Sequence, residues 1–482
     1  MGEMAKRCRP PTGDRSETEI NSRAERFQTS RARRFVSHKT KFVMAIALAS
    51  VISVFAFSEA HAQVSGEVAF IFNTFSFLIC GALVMWMAAG FAMLESGLVR
   101  SKNTATICLK NISLYAVACF TFYLIGYDLM YTDVGSYMGS FALFWQADDT
   151  AARAGDFSDA AYAASSDWYF QMVFVATAAS VVSGTVAERV KLWPFLAFVF
   201  ILTAIIYPIQ GSWVWGGGWL SEMGFSDFAG STLVHSVGGW AALTGAVIIG
   251  PRIGKFGSRG RINPIPGNNL SLATLGTFVL WLGWFGFNGG SVLALGSANA
   301  AIDMANVFAN TNSAAAGGVL AAIVATQLLY KRVDLSLVLN GAIGGLVSIT
   351  AEPLAPSLGM AFAIGAVGGI VVVLAVPLLE KFRIDDVVGA IPAHLACGIW
   401  GTLVVPVTNA DATFTAQLAG VAAIGAFVTL GSAVVWLALK YSIGLRPSQN
   451  EEWMGLDHAE LGLEVYADWG SDPFRKGARK PG

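Results

Sequence analysis

The chain has 482 residues, 55% of them hydrophobic and only 13% charged, with a formal net charge of −1. Soluble proteins carry roughly 25% charged residues, so three water-exposed domains of roughly 150 residues each could not be covered from this composition. A near-neutral balance also removes the electrostatic footprint of a nucleic-acid partner, and the main solvent of the chain is lipid. Five cysteines (Cys8, Cys80, Cys108, Cys119, Cys397) show no CxxC spacing. They give no zinc or disulfide framework, and no metal or other cofactor is implied.

Residues 1–41 are polar and basic, and Phe42 to Phe57 then form an apolar run that ends near Ala60-His61-Ala62. This reads as a signal peptide cleaved after Ala62; an over-extended start or an uncleaved first helix fits the same residues. Apolar segments of membrane-spanning length follow at 69–94, 105–127, 168–187, 193–210, 228–250, 270–290, 305–329, 335–351, 358–379, 387–406 and 415–441. Arg100, Lys102, Arg189, Lys191, Arg252, Lys255, Arg259, Arg261, Lys331, Arg332, Lys381 and Arg383 all fall in alternate loops. The intervening loops hold only Arg153, beside Asp148, Asp149, Asp156 and Asp159. Cytoplasmic loops collect the Lys and Arg, so the mature N-terminus lies outside and the tail inside, with an odd number of spans, about eleven. The predicted fold is an all-α polytopic membrane protein: extension and signal over 1–62, a transmembrane unit over 63–441, a cytoplasmic tail over 442–482.

The 52 glycines fit this class. Small residues recur four apart (Gly238, Ala242 and Ala246; Ala241 and Gly245; Ala390, His394 and Gly398), which lets helix backbones approach where lipid gives no hydrophobic drive.

Of five histidines, only His235 and His394 lie inside predicted spans. Each follows an aspartate by eight residues and precedes a glycine by four: Asp227, His235, Gly239 and Asp386, His394, Gly398. A tryptophan follows each, Trp240 or Trp400. The two copies run through the bilayer in opposite directions, as expected of two inverted repeats of about five helices each plus one extra helix, with a site at the midplane. Eight helical residues rise about 12 Å, which puts each ring near mid-membrane. Interhelical hydrogen bonding accounts for one such histidine; two in matched positions point to an ion or proton path, where desolvated, neutral rings can pass a proton. Paired membrane histidines also ligate haem iron, but neither helix carries a second histidine.

Three aromatic patches lie near span ends: Trp168-Tyr169-Phe170-Gln171-Met172-Val173-Phe174, Trp213-Val214-Trp215-Gly216-Gly217-Gly218-Trp219 and Trp284-Phe285-Gly286-Phe287-Asn288-Gly289-Gly290-Ser291. An interfacial belt explains such rings, and so does a cage that attracts a small cation. Composition does not separate the two.

Asp227-Phe228-Ala229-Gly230-Ser231-x-x-Val234-His235 resembles a signature of the ammonium transporter (Amt/Mep/Rh) family. Phe287-Asn288-Gly289-Gly290-Ser291, Gly97-Leu98-Val99-Arg100-Ser101-Lys102-Asn103, Ala187-Glu188-Arg189 and the second histidine block resemble the same family, in its Amt branch. The resemblance implies an outer ammonium recruitment site of Phe174, Trp215 and Ser291, and a gate of Phe174 and Phe287. It also implies twin histidines His235 and His394 along a hydrophobic lumen, with Asp227 and Asp386 as supporting residues. It further implies a homotrimer in the cell (inner) membrane, ammonium deprotonated outside and conducted as ammonia, and no enzymatic activity. The tail, Gly444-Leu445-Arg446-Pro447 through His458 to Tyr466, resembles the family's regulatory C-terminus, a partner of PII-type nitrogen signal proteins. Ala459 stands where some relatives carry a phosphorylatable threonine.

Some features fall outside that pattern. Glu95 is expected to pair with Arg100 or Lys102, the alternative being a role in cation exit. The acidic loop 128–166 reads as a solvated cap or as a concentrator of cations, and the tail as regulatory or as disordered. An ammonium sensor signalling through its tail is the alternative function; no output domain follows Gly482 in the sequence.

Overall fold

The computed structural model describes residues 64–158 and 161–465. The predicted signal and cleavage site lie outside the described residues, as does the tail from Tyr466 onward. Among the described residues every regular element is helical. The long helices are α1 (Gly66–Leu98), α2 (Ser101–Tyr131), α3 (Ala164–Thr185), α4 (Leu192–Ser212), α5 (Ser231–Ile249), α6 (Leu270–Gly290), α7 (Ala298–Tyr330), α8 (Leu335–Ile349), α9 (Leu358–Lys381), α10 (Ile391–Thr408) and α11 (Phe414–Ser442). Among the described residues, nine helices are long and apolar enough to cross a membrane. The other two, α3 and the 15-residue α8, fall short by composition and by length.

Polar residues fix where the apolar runs become helix. The side chains of Ser65, Asn269, Ser297, Asp334, Ser357 and Thr413 accept the N–H three residues on, satisfying donors that a helix start leaves free. Close packing then uses the small residues. A Cβ on Gly276 of α6 would lie 2.4 Å from Leu94 N of α1, and one on Gly365 of α9 would lie 2.0 Å from Ala314 O of α7. Those helices touch backbone to backbone.

Burial sorts the helices. Among the nine apolar helices, the most apolar stretch is 78% buried in α5 and 61% in α10, against 33% in α7, α9 and α11; the two histidine helices are the most enclosed of the nine. Both open with a wide i→i+5 turn, Ser231–Ser236 in α5 and Ile391–Ala396 in α10. Similar turns interrupt α2 at Phe122–Gly126 and α4 at Leu202–Ile206. Wide turns are rare and recur at functional sites. The loop after α2 folds back on its turn, where Phe144 and Trp145 donate their N–H groups to Leu124 O and Tyr123 O.

The tail is docked. Helices α12 (Gln449–Met454) and α13 (Leu456–Leu461) follow α11, and Ser448 with Glu451 forms a capping box at the start of α12. Asp457 accepts three hydrogen bonds of 2.8 Å from Ala105 N, Thr106 N and Thr106 Oγ1 at the start of α2. Glu460 accepts from Leu192 N at 3.0 Å. Over these residues the disordered tail is excluded.

The Glu95 pairing is corrected as well. Arg100 pairs with Glu188, and Lys102 Nζ donates to the Glu452 carbonyl at 2.9 Å. Glu95 precedes the end of α1 and points into the bundle, 1% exposed, whereas Arg100 lies beyond the helix end.

Candidate functional site

The chain reaches α5 through a bend at Gly230, whose φ of 107° lies in the left-handed region that glycine adopts without steric cost. The bend turns four consecutive N–H groups onto one carboxylate. Asp227 Oδ1 accepts from Gly230 (3.0 Å) and Ser231 (2.8 Å), and Oδ2 from Thr232 (2.8 Å) and Leu233 (2.9 Å). The donors that open a helix are thus met by one side chain. Burial pushes the Asp227 carboxyl up to about 6, against the lowering effect of these donors. Asp227 therefore holds four backbone N–H groups at the start of α5. The expected 12 Å rise does not hold, because Asp227 to Gly230 is not helical and α5 begins only at Ser231.

Asp386 does the same with fewer donors. It accepts from Gly389 N (3.2 Å), Ile391 N (2.7 Å) and the Thr185 hydroxyl (3.1 Å). Pro392, at the second helical position, has no N–H to offer.

The two starts bring the histidines together. His235 is 0% and His394 3% exposed, their Nδ1 atoms are 3.3 Å apart, and their ring centroids 5.2 Å. At that distance one ring donates from Nδ1 and the other accepts, so the neutral pair holds opposite tautomers. Glycine permits the approach: a Cβ on Gly239 would lie 2.6 Å from Leu395 Cβ, and one on Gly398 would lie 2.3 Å from Ser231 O.

An unbroken series of rings leads to the pair. Trp215 meets Phe174 edge-on at 6.1 Å, Phe174 stacks on Phe287 at 4.1 Å, and Phe287 stacks on His235 at 5.1 Å. The Trp215 indole donates to Asp227 O at 3.0 Å. Ser291, at the end of α6, donates to Phe287 O at 2.8 Å. All the sequence-predicted site residues near the Asp227 end thus join one chain of contacts.

Two ring neighbours were not assigned to the site from the sequence. Trp284 also stacks on His235, at 4.8 Å, beside Phe287 at 5.8 Å, and donates its indole N–H to Thr350 Oγ1 at 2.8 Å. Phe91 lies 6.2 Å from His394. Trp284 was visible only as part of an aromatic patch, and Phe91 carried no signal.

At the Asp386 end stands a buried ion cluster. Arg252 bonds both oxygens of Asp385 at 2.9 Å and Glu188 at 3.1 Å. Arg189 donates to Gly250 O at 2.8 Å and Thr185 O at 2.7 Å. Burial alone would raise the Asp385 carboxyl, but the Arg252 hydrogen bonds and the Arg189 and Arg252 charges hold it well below the usual carboxylate range.

Ring faces attract a small cation, closed apolar stacks exclude its hydration shell, and a coupled histidine pair can hand on a proton.

The chain is similar to known proteins in both sequence and structure. The model of the Ammonium Transporter Family matches residues 75–466. Ammonium transporter Amt2 of Archaeoglobus fulgidus is 40% identical over 427 residues, 81% of this chain and 87% of that protein. A putative ammonium transporter of Synechocystis sp. is also 40% identical, over 88% of this chain and 95% of its own length. A solved structure named Sensor Amt Protein superposes with a TM-score of 0.76 at 34% identity, covering 82% of this chain and 100% of that one. Candida albicans Mep2 superposes at 0.71 with 25% identity, covering 86% and 93%. The chain belongs to the ammonium transporter family, whose members are multi-pass membrane transporters.

Proposed function

We propose that this chain captures ammonium at the Asp227 end, deprotonates it there, and conducts it inward as ammonia while the proton passes over His235 and His394. The carrying observation is the 3.3 Å contact between two fully enclosed imidazoles at the end of a continuous ring path. Moving a bare cation through such a lumen costs its hydration energy, whereas neutral ammonia escapes that cost. In this reading Phe174, Trp215 and Ser291 recruit ammonium, Phe174 and Phe287 gate the mouth, and Asp227 and Asp386 hold the helix starts in place.

The same reading takes α1–α11 as spans of two inverted repeats of five helices plus one, N-out and C-in. The alternating loop charges and the matched openings of α5 and α10 support it. Shortness and polarity do not exclude α8 and α3, which are enclosed by other helices. The protein is then a homotrimer of the cell (inner) membrane serving nitrogen metabolism, with residues 1–62 as extension and signal, 63–441 as the channel and 442–482 as the regulatory tail. The docked α12 and α13 offer a PII-type protein a lever on the loops they bind.

Ammonium-driven current across reconstituted membranes tests the reading. His235→Ala and His394→Ala are expected to lose or alter the current while folding stays intact; unchanged current in both overturns the relay. The similarity to a structure named Sensor Amt Protein favours sensing as the second reading, which ammonium binding without flux would support.

A further inference from the structure

Past His394, toward the Asp386 end, the helices leave a small cavity lined by Leu94, Glu95, Ser180, Asn340, Val388 and His394, among others. Glu95 and His394 are its ionisable groups. Glu95 sits in the last turn of α1, 1% exposed. One carboxylate oxygen, Oε2, accepts from Asn111 Nδ2 at 3.1 Å and Ser183 Oγ at 2.9 Å. The other, Oε1, has no hydrogen-bond partner among the described residues.

The surroundings make room for this carboxyl group without neutralising it. Gly184 lies beneath it, where a Cβ would come within 3.4 Å of Glu95 Cγ and 2.5 Å of Val388 Cγ2. The neighbouring cation, Lys110 on α2, donates its ammonium hydrogen to Val190 O at 2.8 Å. Arg100 and Lys102, the expected partners, are engaged elsewhere. A buried carboxyl group with an open oxygen is expensive, and such groups inside membrane proteins mark ion and proton paths.

We propose that Glu95 is an inner acid–base and cation site, at which ammonia that has passed His394 takes a proton from the carboxyl group and departs as ammonium. The carboxylic O–H bond breaks, an N–H bond forms, and the new carboxylate holds the cation briefly before release. The carboxylate regains its proton from the one released at the mouth and carried by the histidine pair. One ammonium enters, one leaves, and Glu95 returns to its starting form. The step rests on the ammonia-plus-proton reading above.

The test is ammonium-driven current through the reconstituted full chain. Absence of wild-type current sinks the transport reading itself, whatever Glu95 does. With wild-type current in hand, Glu95→Gln keeps an acceptor for Ser183 and Asn111 but cannot exchange a carboxylic proton. Its maximal current is expected to fall about a hundredfold, the lower end of general acid–base effects. The half-saturating ammonium concentration should not move, because the recruiting end is untouched. Glu95→Asp keeps the carboxyl group and should retain most of the current. Wild-type current in Glu95→Gln overturns the proposal. Equal losses in Glu95→Gln and Glu95→Asp do so too, by marking a role in packing alone. Should Glu95→Gln fail to fold, the double variant Asn111→Ala/Ser183→Ala decides, since it removes both donors and leaves the carboxyl group. A folded, conducting double variant supports the proposal, and an unfolded one overturns it.

Discussion

At the start of α5 one carboxylate, Asp227, gathers four backbone N–H groups. At the start of α10 the matching Asp386 gathers two and adds the Thr185 hydroxyl. Both feed a wide turn that carries a histidine, yet their neighbours diverge. Asp227 lies behind Trp215 and the ring series, and no lysine or arginine forms an ion pair with it among the described residues. Beside Asp386 stand Asp385, Arg252, Glu188 and Arg189, locked into one network. One device thus serves two ends with different electrostatics. The end proposed to attract a cation holds its negative charge without a resident cation, while the other neutralises its charges to tie loops together.

The contrast breaks most readily at Asp385, which has no counterpart beside Asp227. Asp385→Asn removes the partner of a 3%-exposed guanidinium, and losing one member of a buried pair costs about 3–5 kcal/mol. A large drop in melting temperature in detergent is expected. Asp385 is held below the usual carboxylate range; its stabilisation is therefore complete above that range and fades as pH falls through the lowered value. The variant should accordingly lose less melting temperature on acidification than the wild type.

Asp227→Asn comes next. Its amide nitrogen would face two N–H donors, and each orphaned donor costs about 1–3 kcal/mol. Melting temperature and current should both fall. Asp386→Asn deprives one backbone N–H at most of its acceptor, because the Thr185 hydroxyl can reverse its role, and should cost about 1 kcal/mol. A greater loss at Asp386 than at Asp227 would undo the claimed asymmetry.

The aspartate–histidine pairs were legible in the sequence because charge is so scarce in the chain that two intramembrane histidines stand out. The helix starts were not. Hydropathy carries through Phe228 and Ala229 without marking that the helix waits for Gly230 to bend the chain, so the rise from Asp227 to His235 was overdrawn. The segment read at 168–187 forms α3, nearly all of whose Phe170–Thr185 stretch is buried, and a helix enclosed by protein need not be as apolar as one that faces lipid. The contacts of Phe91 with His394 and of Trp284 with Thr350 depend on which helices cross, and no local pattern encodes that. Glu95 was misassigned for a related reason: nearness in sequence to Arg100 suggested a pair, but the helix turned the carboxyl group inward.

The smallest effect is the one that separates the two ends most cleanly. Burial pushes the Asp227 carboxyl up to about 6, so acidifying the medium on its side from about pH 7 to about pH 5 adds a proton to the carboxylate. A protonated oxygen cannot hold both of its N–H donors. The start of α5 then loosens, and with it Trp215, whose indole rests on Asp227 O. Ammonium stays overwhelmingly in its cationic form over this interval, so the supply of substrate does not change. Current should fall as pH drops through about 6 on the Asp227 side, with the opposite side clamped; because the carboxyl value is raised in the fold, protonation favours the folded chain and melting temperature should not fall with the current. In Asp227→Asn it should be low and flat, because no proton is left to take. Equal sensitivity to the two sides would mean that the aspartates act alike, and the ring path rather than its carboxylate would then have to distinguish the mouth from the exit.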